Sequence, residues 1–286
     1  MATSIVFGGA GFLGSHLVDA LTARGESVVV IDDLTTGRLS NLGRAISSGR
    51  VTFVYVDLAI DADLLRKIVR SSQTKRVDYL YWFVPPSGDR GTSASIDVAI
   101  EERARLIVSS VAGSRPETGL KWDAAAVETV VAAAVRDRGL DARIVRVWPC
   151  YGPRAHAGDA VVEALLEAAV ARRPMPIEGD GLQVRPITYV LDAIDRLVEV
   201  ARLPQAAFEP IEIGGSDERS VLEIARILAR TAGTELVVEC GPAAHRPRGP
   251  RRALRTGGLA AARTTPLEQG LRSTYAWFAN ETGQFV

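Results

Sequence analysis

The segment Ser4-Ile5-Val6-Phe7-Gly8-Gly9-Ala10-Gly11-Phe12-Leu13-Gly14-Ser15-His16 leaves this chain few ways to begin folding. A short apolar run, suited to a buried strand, breaks into glycines. Leu13, Leu17, Val18 and Leu21 then recur at helical spacing until Gly25. The pattern predicts strand, tight turn and helix. Gly8, Gly11 and Gly14 stand three apart, and each position has a reason to lack a side chain: a turn without Cβ strain, close backbone approach to a pyrophosphate, and close helix-on-sheet contact. The phosphates would rest on the helix N-terminus, where N–H groups lack partners. Ser27-Val28-Val29-Val30-Ile31-Asp32 reads as a second strand ending in a carboxylate, at the distance where a dinucleotide ribose is held. A purely structural glycine turn is the duller reading. It is disfavoured because the glycines arrive in their strand-turn-helix context.

Strand and helix then alternate. Thr52 to Val56 is a third strand, followed by a helix marked by Leu64, Leu65, Ile68 and Val69. Asp78 to Val84 is a fourth, followed by a helix through Ile96, Ala99, Ile100 and Ala104. Leu106 to Ser110 is a fifth, Val127, Val130, Val131, Ala134 and Val135 give the next helix one apolar face, and Ile144 to Trp148 is a sixth. The expected fold is α/β, a doubly wound parallel sheet of Rossmann type. Beyond Pro153 the alternation loosens, with a helix over about Asp159 to Arg173 and an extended stretch from Val184 to Val190. Two capping boxes, Ser220 to Glu223 and Thr265 to Glu268, predict further helix starts, the second with proline in the first helical position. We therefore expect a dinucleotide-binding domain over 1–155, rejoined by 185–204, and a smaller substrate lobe within 156–286.

Charge excludes some partners. Lys and Arg number 34, as do Asp and Glu, so the chain has no global field for nucleic acid or an anionic membrane. Cys150 and Cys240 lie far apart and fit free thiols in a reducing compartment. No secretory leader or membrane-length apolar run is visible, and a soluble cytoplasmic protein is expected. The three histidines have no metal-ligand spacing, so no metal is expected.

The glycine turn, Asp32-Asp33-Leu34 with Gly37, and Asp57-Leu58 together resemble the extended short-chain dehydrogenase/reductases, the nucleotide-sugar epimerase and dehydratase group. Arg146-Val147-Trp148-Pro149-Cys150-Tyr151-Gly152-Pro153 is similar to that family's strand-to-loop signature. Gly179-Asp180-Gly181 with Tyr189-Val190-Leu191-Asp192 is similar to its substrate-lobe turn and returning strand. The resemblance implies a cofactor set. Phe12 and Leu13 would offer backbone N–H groups to the pyrophosphate, Asp32 would take the ribose, and Asp57 and Leu58 would border the adenine. Phe83 and Pro85 would lie against the dinucleotide, and Ser109 and Pro149 complete the set. Asp32 argues for NAD, whereas Arg38 beside it could pair with a 2′-phosphate, so NAD(H) and NADP(H) both stay open.

The chain departs from the family where chemistry is done. Relative to Glu128, the tyrosine position falls on Leu120 and the lysine position on Ala124, and no tyrosine occurs between Tyr81 and Tyr151. The serine position falls on Val111 or, one residue earlier, on Ser110, the one catalytic candidate. Oxidising an unactivated sugar alcohol needs a base, whereas reducing a ketone needs only a proton donor, which water or the substrate can supply. Read this way, the chain is expected to be an NAD(P)H-dependent ketoreductase acting on a polycyclic aromatic ketone. It would resemble the atypical reductases that tailor aromatic polyketides in actinomycetes. Trp82, Pro86, Val111, Leu120, Trp122 and Tyr151 would wall the substrate. Two alternatives remain: a non-catalytic dinucleotide-binding sensor, and nucleotide-sugar chemistry with replaced catalysts. The chain would be a monomer or homodimer.

Overall fold

The computed structural model describes residues 1–57, 62–71, 76–83, 89–111, 124–155, 161–204, 209–214, 217–242 and 264–281. Two compact units emerge. The first holds Met1–Val147 and Ile194–Ile213; the second holds Trp148–Ala193 and most of the chain after Gly214.

The first unit is built on a parallel sheet. Its strands are β1 (Thr3–Phe7), β2 (Ser27–Asp32), β3 (Val51–Tyr55), β4 (Tyr79–Trp82), β5 (Arg105–Val111), β6 (Ala142–Val147) and β10 (Ile211–Ile213). They lie in the order β10-β6-β5-β4-β1-β2-β3, and every pairing is parallel. The order runs outward both ways from β1, so the carboxyl ends of β1 and β4 flank the reversal point where ligands settle in such sheets. Between the strands run α1 (Phe12–Ala23), α2 (Gly43–Ser47), α3 (Ala62–Ser71), α4 (Asp89–Glu102) and α5 (Ala124–Arg138). One face of the sheet forms a core of Ile5, Phe7, Leu80, Leu106, Val108 and Ile144 with Leu65, Val127 and Val131 from the helices. The expected doubly wound fold is the observed one. Two residues of the expected apolar stripes face outward instead: Leu64 is 39% exposed and Val130 46%. In each helix the neighbours at three and four residues already cover the sheet.

The second unit holds β7 (Cys150–Tyr151), α6 (Val161–Val170), β8 (Met175–Glu178), β9 (Val184–Tyr189), β11 (Asp217–Ser220), α8 (Val221–Ala232), β12 (Val238–Gly241) and α9 (Leu267–Glu281). Helix α7 (Val190–Ala201) continues from β9 into the first unit. Strands β11, β9 and β7 form one small sheet and β12 with β8 another. Ser220 caps α8 as its sequence predicts, its side chain accepting from the Glu223 N–H at 3.2 Å. The second capping box departs from expectation: Thr265 donates both N–H and hydroxyl to Asp192 at 2.7 Å, and the helix opens at Leu267, after Pro266. Among the described residues no helix is long and apolar enough to cross a membrane.

Candidate functional site

The β1–α1 turn is built almost wholly from backbone. Gly8 takes φ +69°, where L side chains are strained, donates its N–H to Ile31 O at 2.9 Å and accepts from Gly11 N–H at 3.1 Å. A Cβ on Gly14 would overlap the Gly8 carbonyl and come within 2.8 Å of the Gly9 Cα, so helix and turn meet only because that position is bare. Helix α1 opens on Gly11 with no side-chain cap and no acidic residue in its first turn. Its first N–H groups, including those of Phe12 and Leu13, are thereby left to an anion.

Asp32 closes the turn from the end of β2. It is buried, and its carboxylate accepts the N–H of Ala10 at 2.8 Å and of Leu34 at 2.8 Å. Burial pushes its carboxyl above the usual range, and the two backbone donors only partly offset this. The Ala10 carbonyl in turn accepts from Asn41 Nδ2 at 2.8 Å and from Arg38 N–H at 3.0 Å. Asn41 was not a sequence candidate; it lies 31 residues from its partner, and nothing local marks it. Gly37 completes the cradle: a Cβ there would sit 3.0 Å from Asp32 Oδ1. These residues fit a dinucleotide, because the bare positions, open helix N-terminus and buried carboxylate converge on one turn.

A second polar group lies at the carboxyl ends of β5 and β6. Ser110 is wholly buried, and its hydroxyl donates to Glu128 Oε1 at 2.8 Å. Arg146 grips the same carboxylate in bidentate fashion, Nε at 2.8 Å and Nη2 at 2.6 Å, with Nη1 3.9 Å from Glu212. Burial pushes the Glu128 carboxyl up, but the bonds from Arg146 and Ser110 and the Arg146 charge together outweigh it, and it titrates below its usual range. Ser110 follows Leu106 and Val108 on the core face of β5. Its hydroxyl proton is committed inward.

The remaining candidates divide by location. Asp57 and Arg38 are exposed and Phe83 half-buried, its N–H 3.4 Å from Phe7 O. Ser109 is buried on β5. Trp82 is 3% exposed, packed against Phe7 at 4.6 Å between ring centroids. In the second unit Pro149 is exposed and accepts Thr188 N–H, while Tyr151 is buried against Tyr189 with ring centroids 5.6 Å apart. Leu58, Pro85, Pro86, Leu120 and Trp122 lie outside the described residues, as do the side chains of Val111 and Ala124. Among the described residues no cluster of three or more His, Cys, Asp or Glu is placed to hold a metal. Burial, with the charges of Glu163 and Asp192, pushes the Cys150 thiol up to about 12, so it stays protonated and unreactive near neutrality.

A model of the NAD dependent epimerase/dehydratase family matches residues 4–111 and 123–214. UDP-glucuronic acid decarboxylase 1 of Arabidopsis thaliana is 27% identical over 263 residues, covering 83% of this chain but 60% of the relative's own length. UDP-glucose 4-epimerase of Mycolicibacterium smegmatis is 30% identical over 266 residues, 80% of this chain and 82% of the relative. Among solved structures, a dTDP-glucose 4,6-dehydratase from Streptomyces venezuelae with NAD bound superposes with a TM-score of 0.80 at 25% identity, covering 99% of this chain and 98% of that one. A dTDP-glucose 4,6-dehydratase from Bacillus anthracis in complex with NAD gives 0.80 at 20% identity, covering 100% and 99%. These relatives overturn the expected aromatic-ketone reductase. They are UDP-sugar decarboxylases and epimerases, and the similarity runs through both units. The expectation rested on reading Leu120 and Ala124 at the tyrosine and lysine positions and on short connections around them, and neither feature identifies the substrate.

Proposed function

The chain belongs to the NAD dependent epimerase/dehydratase family, and from that premise we propose that it acts on a nucleoside-diphosphate sugar, with proton transfer by groups other than a tyrosine–lysine pair. NAD(H), the cofactor for which the family is named, supplies a hydride acceptor or donor when bound. The observation that carries this reading is the similarity to UDP-sugar enzymes along 80% or more of the chain, joined to a cradle with every glycine in place. The N–H groups of Phe12 and Leu13 would hold the pyrophosphate at the α1 N-terminus. Asp32 would receive the ribose hydroxyls on the lone pairs its two backbone donors leave free. Arg38, exposed in the adjoining loop, leaves a 2′-phosphate tolerable. Placed relative to Glu128, Leu120 and Ala124 would stand at the family's tyrosine and lysine positions. The proton that accompanies hydride movement would pass to water or to the substrate's own hydroxyls.

Ser110 favours a second reading. With its hydroxyl turned to Glu128, it is a positioning residue for the β5–α5 packing, and a chain without a proton-transfer group would be a dinucleotide-binding sensor. Calorimetric titration with UDP-glucose, UDP-glucuronate and TDP-glucose at saturating NAD+ separates the two. Nucleotide-sugar chemistry requires one sugar nucleotide bound per chain. Binding of NAD+ with no affinity for any of the three would overturn it in favour of the sensor.

A further inference from the structure

A cavity of about 350 Å³ opens at the edge of the sheet opposite the glycine turn, where β1, β4, β5 and β6 begin. It lies wholly within the first unit, and its polar walls are Arg76, Asp78, Arg103, Arg105 and Asp141, with Tyr79 as a flat side. Both carboxylates are already engaged. Asp78 accepts the Thr3 N–H at 2.9 Å and faces Arg76 Nε at 3.5 Å. Asp141 accepts Arg105 Nε at 2.8 Å and Arg143 Nη1 at 2.6 Å.

The guanidinium groups divide differently. Arg105 is tied to Ala201 O and forms the floor; behind it the fully buried Arg143, which does not line the cavity, bonds to Ala142 O and Leu203 O. Arg76 is held only at 3.5 Å, and the Arg103 guanidinium bonds to no described residue. Three lining arginines thus meet two carboxylates, one of them shared with Arg143 behind the wall, a local positive excess in a chain of zero net charge. Arg103 also stands at φ +53°, a left-handed conformation in which glycine would be unstrained, yet an arginine occupies it. The volume falls in the range of small-molecule sites, and the Arg103 guanidinium, free among the described residues, and the loosely paired Arg76, set over Arg105, match the charge and fork geometry of phosphate.

We propose that this cavity is a second anion site that takes a phosphorylated small molecule, gripped by Arg76 and Arg103 and separate from the dinucleotide turn. It does not depend on the sugar chemistry proposed above. The test is calorimetric titration with inorganic pyrophosphate and with ADP at low salt, the protein first saturated with NADH so that the glycine turn is filled. Adenosine serves as the phosphate-free control. The proposal requires one pyrophosphate per chain, binding weakened at least tenfold by Arg76→Ala with Arg103→Gly, and NADH affinity unchanged within twofold. Arg103→Gly suits the left-handed backbone, and matching melting curves confirm that the variant is folded. No binding of pyrophosphate, equal affinity in the double variant, or displacement of NADH would each overturn it, as would adenosine binding as tightly as ADP.

Discussion

The two halves of the first unit's sheet are built on different principles. In β1–α1–β2 the candidate groups are backbone N–H groups, bare glycine positions and one carboxylate, and they converge on one turn. In β5–α5–β6 the polar side chains turn on one another: Ser110 on Glu128, and Glu128 on Arg146. A site made of backbone geometry cannot be altered without altering the fold, because a Cβ on Gly14 would force the helix off the turn. A site made of side chains can lose its chemistry while the fold stands. The described residues of the glycine turn fit the family's cofactor, and in the proposed reading the chain differs from its family at proton transfer.

The sharpest way to break this contrast is Gly14→Ala. With the new methyl forced against the Gly8 carbonyl, we expect a loss of about 2–3 kcal/mol of stability and at least a hundredfold weaker NADH binding, read by denaturant melts and nicotinamide fluorescence. Retained binding would mean that the turn yields easily and is not the cradle.

Glu128→Gln probes the other half. It leaves Arg146 with a weaker partner, and allowing for the partial exposure of Arg146 we expect a cost of about 2 kcal/mol with NADH affinity changed less than threefold. The pH dependence has a definite sign. Because the folded Glu128 carboxyl titrates below its ordinary value of 4.5, its contribution is present above that value and is lost as pH falls through the lower folded value. Melting temperature against pH should therefore drop more steeply below pH 4.5 in the natural chain than in the glutamine variant. Parallel curves would remove the ion pair from the account.

The smallest effect is expected from Ser110→Ala. Losing one buried hydrogen bond costs about 1 kcal/mol, and turnover of a nucleotide sugar should stay within about twofold. A hundredfold loss of turnover with stability unchanged would make Ser110 a catalytic residue and erase the distinction between the halves.

What the sequence made legible follows the same division. Gly8, Gly11, Gly14 and Asp32 could be read directly because a local spacing and a strand ending define them, and β2 spans the same residues that its apolar run marks. Strand β10 escaped notice: Ile211–Ile213 is three residues, too short to show a period. Asn41, reaching back to Ala10, and Arg146, reaching Glu128 across 18 residues, are contacts of the folded chain with no local signature. The substrate class was misread for a related reason. The reading of Leu120 and Ala124 concerned proton transfer alone, whereas the residues that recognise a substrate are spread through the chain and become legible only against relatives.

The most direct measurement is product analysis. The protein, at concentrations stoichiometric with NAD+, is incubated with UDP-glucose, UDP-glucuronate and TDP-glucose while nicotinamide absorbance is followed, and the sugars are then identified by NMR. A rise in reduced nicotinamide or a converted sugar, with the nucleoside diphosphate intact, is expected for at least one of the three. NAD+ bound to the glycine turn, with every sugar nucleotide recovered unchanged and no reduced nicotinamide, would contradict it.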